Sequence, residues 1–242
     1  MDIPLTLPGW LLAMLVVFAG SLIQGAIGFG VALVSAPVLY LIAPALIPGP
    51  MIIAGMFLPL LILLRDWRAV HFPDAGWAIV GQIPGTIAGV GLLALVSADM
   101  LGLVFGGLVL LAVGLSVAGR VAEPRPPQVF MAGVVAALMA TATSIGGPPL
   151  ALAFQHFSGA RLRGTLSAVF VPGGVIVLSG LALSGRFGLS EIVMGLGLLP
   201  GVVLGFWLSG RAARWLDRDW LRPALLGVSA LAGVAAIVSA LI

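Results

Sequence analysis

Gly25-Ala-Ile-Gly28-Phe-Gly30 and its later counterpart Thr141-Ala-Thr-Ser144-Ile-Gly146-Gly147-Pro148-Pro149 each interrupt a hydrophobic run long enough to enter a membrane. In a helix interior a glycine costs about 1 kcal/mol relative to alanine and a proline about 3 kcal/mol. Clusters of both at mid-membrane depth predict a broken helix whose N–H and C=O groups lose their partners. In lipid, such backbone is tolerated only where it faces protein or a water-filled cavity. Two breaks at corresponding positions of two halves point to the substrate site of a secondary transporter.

Composition agrees with a membrane setting. Hydrophobic residues make up 61% of the 242 positions and charged ones only 8%, against about 25% charged in an ordinary soluble domain. At roughly 20 residues per crossing the chain has room for about eight to ten apolar segments and no separate soluble domain. All 11 basic residues are arginine, set against 8 acids, and there is no cysteine. Disulfides, thiol chemistry and cysteine-based metal sites are therefore excluded. The net charge of +3 carries no nucleic-acid signal, because the arginines fall in short loops rather than on one basic face. The N-terminus lacks the basic region of a cleaved signal peptide, so the first apolar run is expected to stay in the mature protein.

Outward from the breaks, the first apolar block runs over residues 7–43, too long for one crossing and barely enough for two. Spans are expected at 49–64, 77–96 and 100–118, with Arg68, His71, Pro73 and Asp74 in a polar loop between the first two. A proline-rich connector, 119–128, joins the halves. The second half repeats the plan, with a broken block at 129–157, an arginine loop at 158–163, and spans at 165–184, 191–209 and 220–242.

The repetition is legible in an offset. Gly81-x-x-Pro84-Gly85-x-x-x-Gly89 recurs as Gly197-x-x-Pro200-Gly201-x-x-x-Gly205, a shift of 116 that also carries Gly30 onto Gly146. Repeats of residues 7–118 and 129–242 are expected. Arginine placement chooses the path of the broken blocks. When each block enters and returns to one side, Arg65, Arg68, Arg120, Arg125, Arg161, Arg163, Arg211, Arg214, Arg218 and Arg222 share a face, and only Arg186 lies opposite. The bias of cytoplasmic loops toward basic residues favours that path. It leaves three full spans per half, an odd number, so the halves are inverted. The expected fold is an all-α polytopic membrane protein of two inverted repeats, each a broken, re-entrant hairpin plus three transmembrane helices, with both termini outside.

Residues that follow a break can start a half-helix whose free N–H groups and positive dipole end attract anions. The candidate substrate-binding residues are Gln24, Gly28, Phe29 and Gly30 around the first break and Thr143, Ser144, Gly146 and Gly147 around the second. The side chains of Gln24, Thr143 and Ser144 donate hydrogen bonds without carrying charge, which suits an oxyanion that must also leave. The bland alternative is close backbone packing, with hydroxyls bonded to their own helix. The glycine ladders, spaced four apart on one helical face, are read as packing surfaces. No apolar core contains a charged residue, which weakens a proton relay. His156 at the inner end of the second block is read as a loop residue before a pH sensor. No HExxH, GxSxG or GxxxxGK[ST] pattern supports enzymatic chemistry.

These same residues resemble the sulfite exporter TauE/SafE group of anion permeases. The resemblance runs through Gly20, Gly25-x-x-Gly28-x-Gly30 and Pro37, then Gly146-Gly147-Pro148-Pro149, and then Arg163-Gly164-Thr165. It departs from the glycine pattern where Thr141 and Ser144 match Gly25 and Gly28. The resemblance implies export or uptake of small sulfur-containing or organic anions such as sulfite, sulfonates, thiosulfate or sulfoacetate. The expected partners are a small anionic substrate and the bilayer of a bacterial-type cytoplasmic membrane, with a homodimer left open and neither cofactor nor nucleic acid. A passive anion channel and a non-transporting scaffold subunit are the competing readings.

Overall fold

The computed structural model describes residues 5–27, 30–97, 100–117, 124–212 and 218–241, and all regular structure among them is helical. The elements are α1 (Leu7–Ile27), α2 (Val31–Ile42), α3 (Gly49–Asp66), α4 (Phe72–Leu95) and α5 (Leu101–Val117), followed by α6 (Pro126–Thr143), α7 (Gly147–Ala153), α8 (Gly159–Leu183), α9 (Leu189–Ala212) and α10 (Arg218–Leu241). Six of them, α1, α3, α4, α6, α8 and α9, are long and apolar enough to cross a membrane.

Local chemistry sets the ends. Thr6 opens α1 by accepting the Gly9 N–H on its hydroxyl at 3.4 Å and the Trp10 N–H on its carbonyl at 3.0 Å. Pro73 and Asp74, expected in a polar loop, instead form the first turn of α4. Proline suits that turn because its missing N–H would have no helical partner there, and an aspartate complements the positive end of the dipole. The start of α6 shows the same effect. Pro126 and Pro127 of the expected connector are already helical, and the Arg125 N–H donates to Gln128 Oε1 at 2.8 Å. Arg161 and Arg163, also expected in a loop, lie in the first turns of α8, with the Arg161 guanidinium 4.3 Å above the Phe157 ring.

Both broken blocks are helical hairpins with unequal arms. The first arms, α1 and α6, have 21 and 18 residues, or about 31 and 27 Å at 1.5 Å per residue. The returning arms, α2 and α7, have only 12 and 7. The turns thus follow a full-length arm instead of splitting a helix at its midpoint. The arm α2 folds back along α1, where Ser35 Oγ donates to the Val16 carbonyl at 3.1 Å. Pro37 inside α2 cannot donate to the Leu33 carbonyl four residues earlier, and Ser229 of α10 does so instead, at 2.8 Å.

The two ladders carry the longest helix pairings, α4 on α6 and α1 on α9. A β-carbon at Gly81 or Gly85 would overlap the carbonyls of Phe130 or Val134, and one at Gly89 would stand 2.6 Å from Thr141 Cβ. Across the molecule, a β-carbon at Gly197 would stand 3.0 Å from the Trp10 ring, one at Gly201 2.5 Å from the Met14 carbonyl, and one at Gly205 2.9 Å from Ser21 Cβ. Small residues let these backbones touch. The contacts also correct a correspondence. In the packed structure Trp10, Met14 and Ser21 answer to Phe130, Val134 and Thr141, a shift of 120 where the ladders themselves shift by 116. By its packing against a ladder, Thr141 stands where Ser21 does and not where Gly25 does. The difference is one helical turn, by which α1 runs further past its ladder before the break.

Directions follow from paired contacts. α3 and α8 run antiparallel, with Met56 against Gly174 and Asp66 against Gly164. α5 and α10 do the same, with Gly102 against Ala240 and Gly106 against Gly233. One end of the bundle holds a charged knot, in which the buried Asp66 carboxylate accepts from Arg65 at 3.1 and 3.2 Å and from Arg163 Nε at 3.2 Å. There too the His71 N–H donates to the Thr165 hydroxyl at 3.0 Å. At the far end of α8, Arg186 Nη2 donates to the Leu93 carbonyl at 2.7 Å. Arg163 and Arg186 therefore mark opposite ends of α8.

Candidate functional site

The first hairpin turns at Gly30, whose φ of +119° lies where side chains are rarely accommodated and glycine is not penalised. Four N–H groups at a helix start lack intrahelical partners. At α2 the first of these, on Val31, donates to the Oε1 of buried Gln24 at 2.8 Å. The second hairpin turns at Ser144, held left-handed at φ 65°, with its hydroxyl donating to the Pro48 carbonyl at 3.0 Å. α7 then begins at Gly147, and its Pro148 and Pro149 have no N–H to offer.

These turns meet at one cavity of about 100 Å³, lined by Gln24 and Gly30 from the first hairpin and by Ser144, Gly146 and Gly147 from the second. One water needs roughly 10–15 Å³ by the same kind of measure, so the space suits a small polyatomic ion. Five of the candidate residues thus come together. Thr143 does not join them, because it is fully buried, its hydroxyl donates to the Met139 carbonyl at 2.8 Å and it accepts the Ile145 N–H at 3.2 Å. Its neighbour Thr141 likewise bonds its own helix, at the Ala137 carbonyl, 2.7 Å away. Gly28 and Phe29 lie outside the described residues.

The rest of the wall comes from α3, α4 and α8, including Met56, Gln82, Phe170 and Gly173. Among the described residues, no charged side chain lines it. What it presents is hydrogen-bonding amide, hydroxyl and backbone groups set among apolar carbon, a surface that can hold a partly dehydrated anion without trapping it. A family model, "Sulfite exporter TauE/SafE", matches residues 12–236 of the 242-residue chain. The chain belongs to the sulfite exporter TauE/SafE family. No curated protein and no solved structure gives a significant match. TauE/SafE membership and six span-length helices make this a multi-span membrane protein of an anion-transporter family.

Two parts of this TauE/SafE site escape a reading built on the paired breaks. Gln82 hides inside the first ladder, one residue after Gly81. Pro172-Gly173-Gly174 sits mid-span in α8, which stays helical through it. The usable signals were there: the lone amide side chain of its span, and a further proline–glycine cluster in the middle of a span.

Proposed function

We infer that this protein is a secondary transporter of small sulfur-containing or organic anions, sulfite- or sulfonate-like, which it binds in the cavity between the two hairpin turns. The supporting observation is the convergence of Gln24, Gly30, Ser144, Gly146 and Gly147 on one uncharged, amide-bearing cavity. The donors are the N–H groups at the start of α2, chiefly those of Ala32 and Leu33 once Val31 is satisfied by Gln24, together with the Gln24 side chain. The Ser144 hydroxyl, whose one proton goes to the Pro48 carbonyl, shapes the wall instead. α7, with two prolines in its first turn, contributes shape and the Gly146–Gly147 backbone more than dipole.

Residues 7–118 and 129–242 act as two inverted repeats in this reading. It is supported by the antiparallel α3–α8 and α5–α10 pairs and by the ladders, which join α1 to α9 and α4 to α6. Each pairing turns into its partner when the repeats are exchanged. The end that carries Asp66 and Arg163 faces the cytoplasm by the positive-inside rule, and the membrane is a bacterial-type cytoplasmic one.

The test is sulfite accumulation in proteoliposomes holding the purified chain alone. Uphill accumulation under an imposed ion gradient is the expected result, and Gly30→Val should abolish it while the protein remains folded. Equilibration without accumulation would make the protein a channel, and no flux from folded protein would overturn the transporter reading.

A further inference from the structure

The amide of Gln82 has no counterpart in the second half, and that asymmetry points beyond packing. The ladder shift of 116 carries Gln82 onto Leu198. Leu198 is fully buried in an apolar core with Ala13 and Val17, so this position beside a ladder glycine is filled adequately by a hydrocarbon. Gln82 is as deeply buried, at 4% exposure, but it lines the cavity. Burying a primary amide is costly unless its hydrogen bonds are met.

The structure shows how the amide is seated. Pro172 in α8 lacks an N–H and leaves the Ala168 carbonyl, next to that of Val169, without its helical donor. Gly173 removes the side chain that would cover the opening. The Gln82 carboxamide lies there, with Nε2 donating to the Val169 carbonyl at 3.3 Å. A β-carbon at Gly173 would stand 2.5 Å from its Cδ and 2.6 Å from its Nε2. A carboxamide offers two N–H donors and one oxygen acceptor, and the bond to Val169 uses a single donor.

We propose that Gln82 contacts the transported anion and selects for species that accept directed hydrogen bonds. The assignment rests on the reading of the cavity as the anion site. Gln24 lines the cavity with its oxygen held by the Val31 N–H, so its NH2 group is the part left to donate. Gln82, across the space on α4, supplies a second amide donor held by α8. Two fixed donors favour an oxyanion with several lone-pair directions over a spherical anion of the same charge.

The experiment measures the affinity of the purified full chain for sulfite and for iodide by calorimetry, with melting temperature as the folding control. In Gln82→Leu, the residue of the other half, sulfite should weaken at least tenfold and iodide less than threefold. Gly173→Ala should displace the intact amide and lower the sulfite preference similarly, yet add nothing in a Gln82→Ala background. Should Gln82→Leu fail to fold, Gly173→Ala decides. A purely structural tie between α4 and α8 would shift melting and both affinities together, so an unchanged sulfite-to-iodide ratio in folded variants overturns the assignment. A wild-type chain that binds neither anion would overturn the cavity reading itself, and the role of Gln82 with it.

Discussion

Gln24 accepts the Val31 N–H at 2.8 Å across the first turn, so the side chain that ends one helix caps the next. The bond fixes the carboxamide and leaves its NH2 group for the cavity. Gln24→Leu should remove the acceptor from a buried N–H, a loss of about 1–3 kcal/mol, readable as a lower melting temperature in detergent. Gln24→Glu keeps an oxygen for Val31 but places a negative charge beside the anion. That variant should melt near wild type and lose transport. Normal transport by Gln24→Glu would remove the first hairpin from the site.

Glycines of one helix type separate into two groups by what surrounds them. Gly85 lies on the Val134 backbone, whereas a β-carbon at Gly107 of α5 would meet nothing within 4 Å. Gly85→Leu should lower folded yield and cost roughly 1–3 kcal/mol by overpacking, and Gly201→Leu should match it. Gly107→Ala should leave melting unchanged or raise it by up to about 1 kcal/mol of helix propensity. Selective loss of transport in stably folded Gly85→Leu or Gly201→Leu would mean that the ladder lines the pathway.

The charged knot predicts an unequal pair of losses. Asp66, at 9% exposure, serves both Arg65 and Arg163, while the Arg163 side chain is 33% exposed. Asp66→Asn should cost about 1.5–3 kcal/mol, the range for hydrogen bonds to a charged group. Arg163→Ala leaves Arg65 in place and should cost about 1 kcal/mol or less. Melting of the two variants side by side checks the order, and a larger loss for Arg163→Ala would contradict it.

Sidedness can be read by labelling single cysteines. Arg125 and Ser158 flank the second hairpin and are both exposed, and exposed Ser190 sits near the far end of α8. Arg125→Cys and Ser158→Cys should react from the cytoplasmic side and Ser190→Cys from the other. Labelling of the first two from opposite sides would show that the hairpin crosses the membrane.

Most helices were visible in the sequence because apolar length alone specifies a membrane helix, and the breaks were visible because glycine and proline cluster there. Helix ends were less so. Polar residues such as Asp74, Arg161 and Arg163 read as loop, yet the first turn of a helix welcomes a proline or an acid and leaves arginines free to stack on neighbours. Gln24, Gly30, Ser144, Gly146 and Gly147 were legible as neighbours around one cavity because they border the breaks. Thr143 looked equivalent to Ser144, but a threonine that bonds its own helix cannot be told from one aimed at a ligand without the backbone angle. Gln82 went unread because its role arises from Pro172 and Gly173 on α8, far away in the chain. The register of the hairpins against the ladders was misjudged for a similar reason. Aligning the breaks by 116 hides an extra turn of α1 that only the contacts of Ser21 and Thr141 expose.

The hydrogen bond from Ser229 to the Leu33 carbonyl has a mechanical side. Pro37 leaves α2 with a carbonyl that only another helix can satisfy, and the donor comes from the last helix of the chain. In a hydrocarbon setting an abandoned carbonyl costs several kcal/mol, so α2 and α10 move together or the bond must be broken. The returning arm of the first hairpin is therefore riveted to the opposite end of the polypeptide. A rocking motion that shifts α2 costs least when α10 travels with it, because only then is the Ser229–Leu33 bond kept.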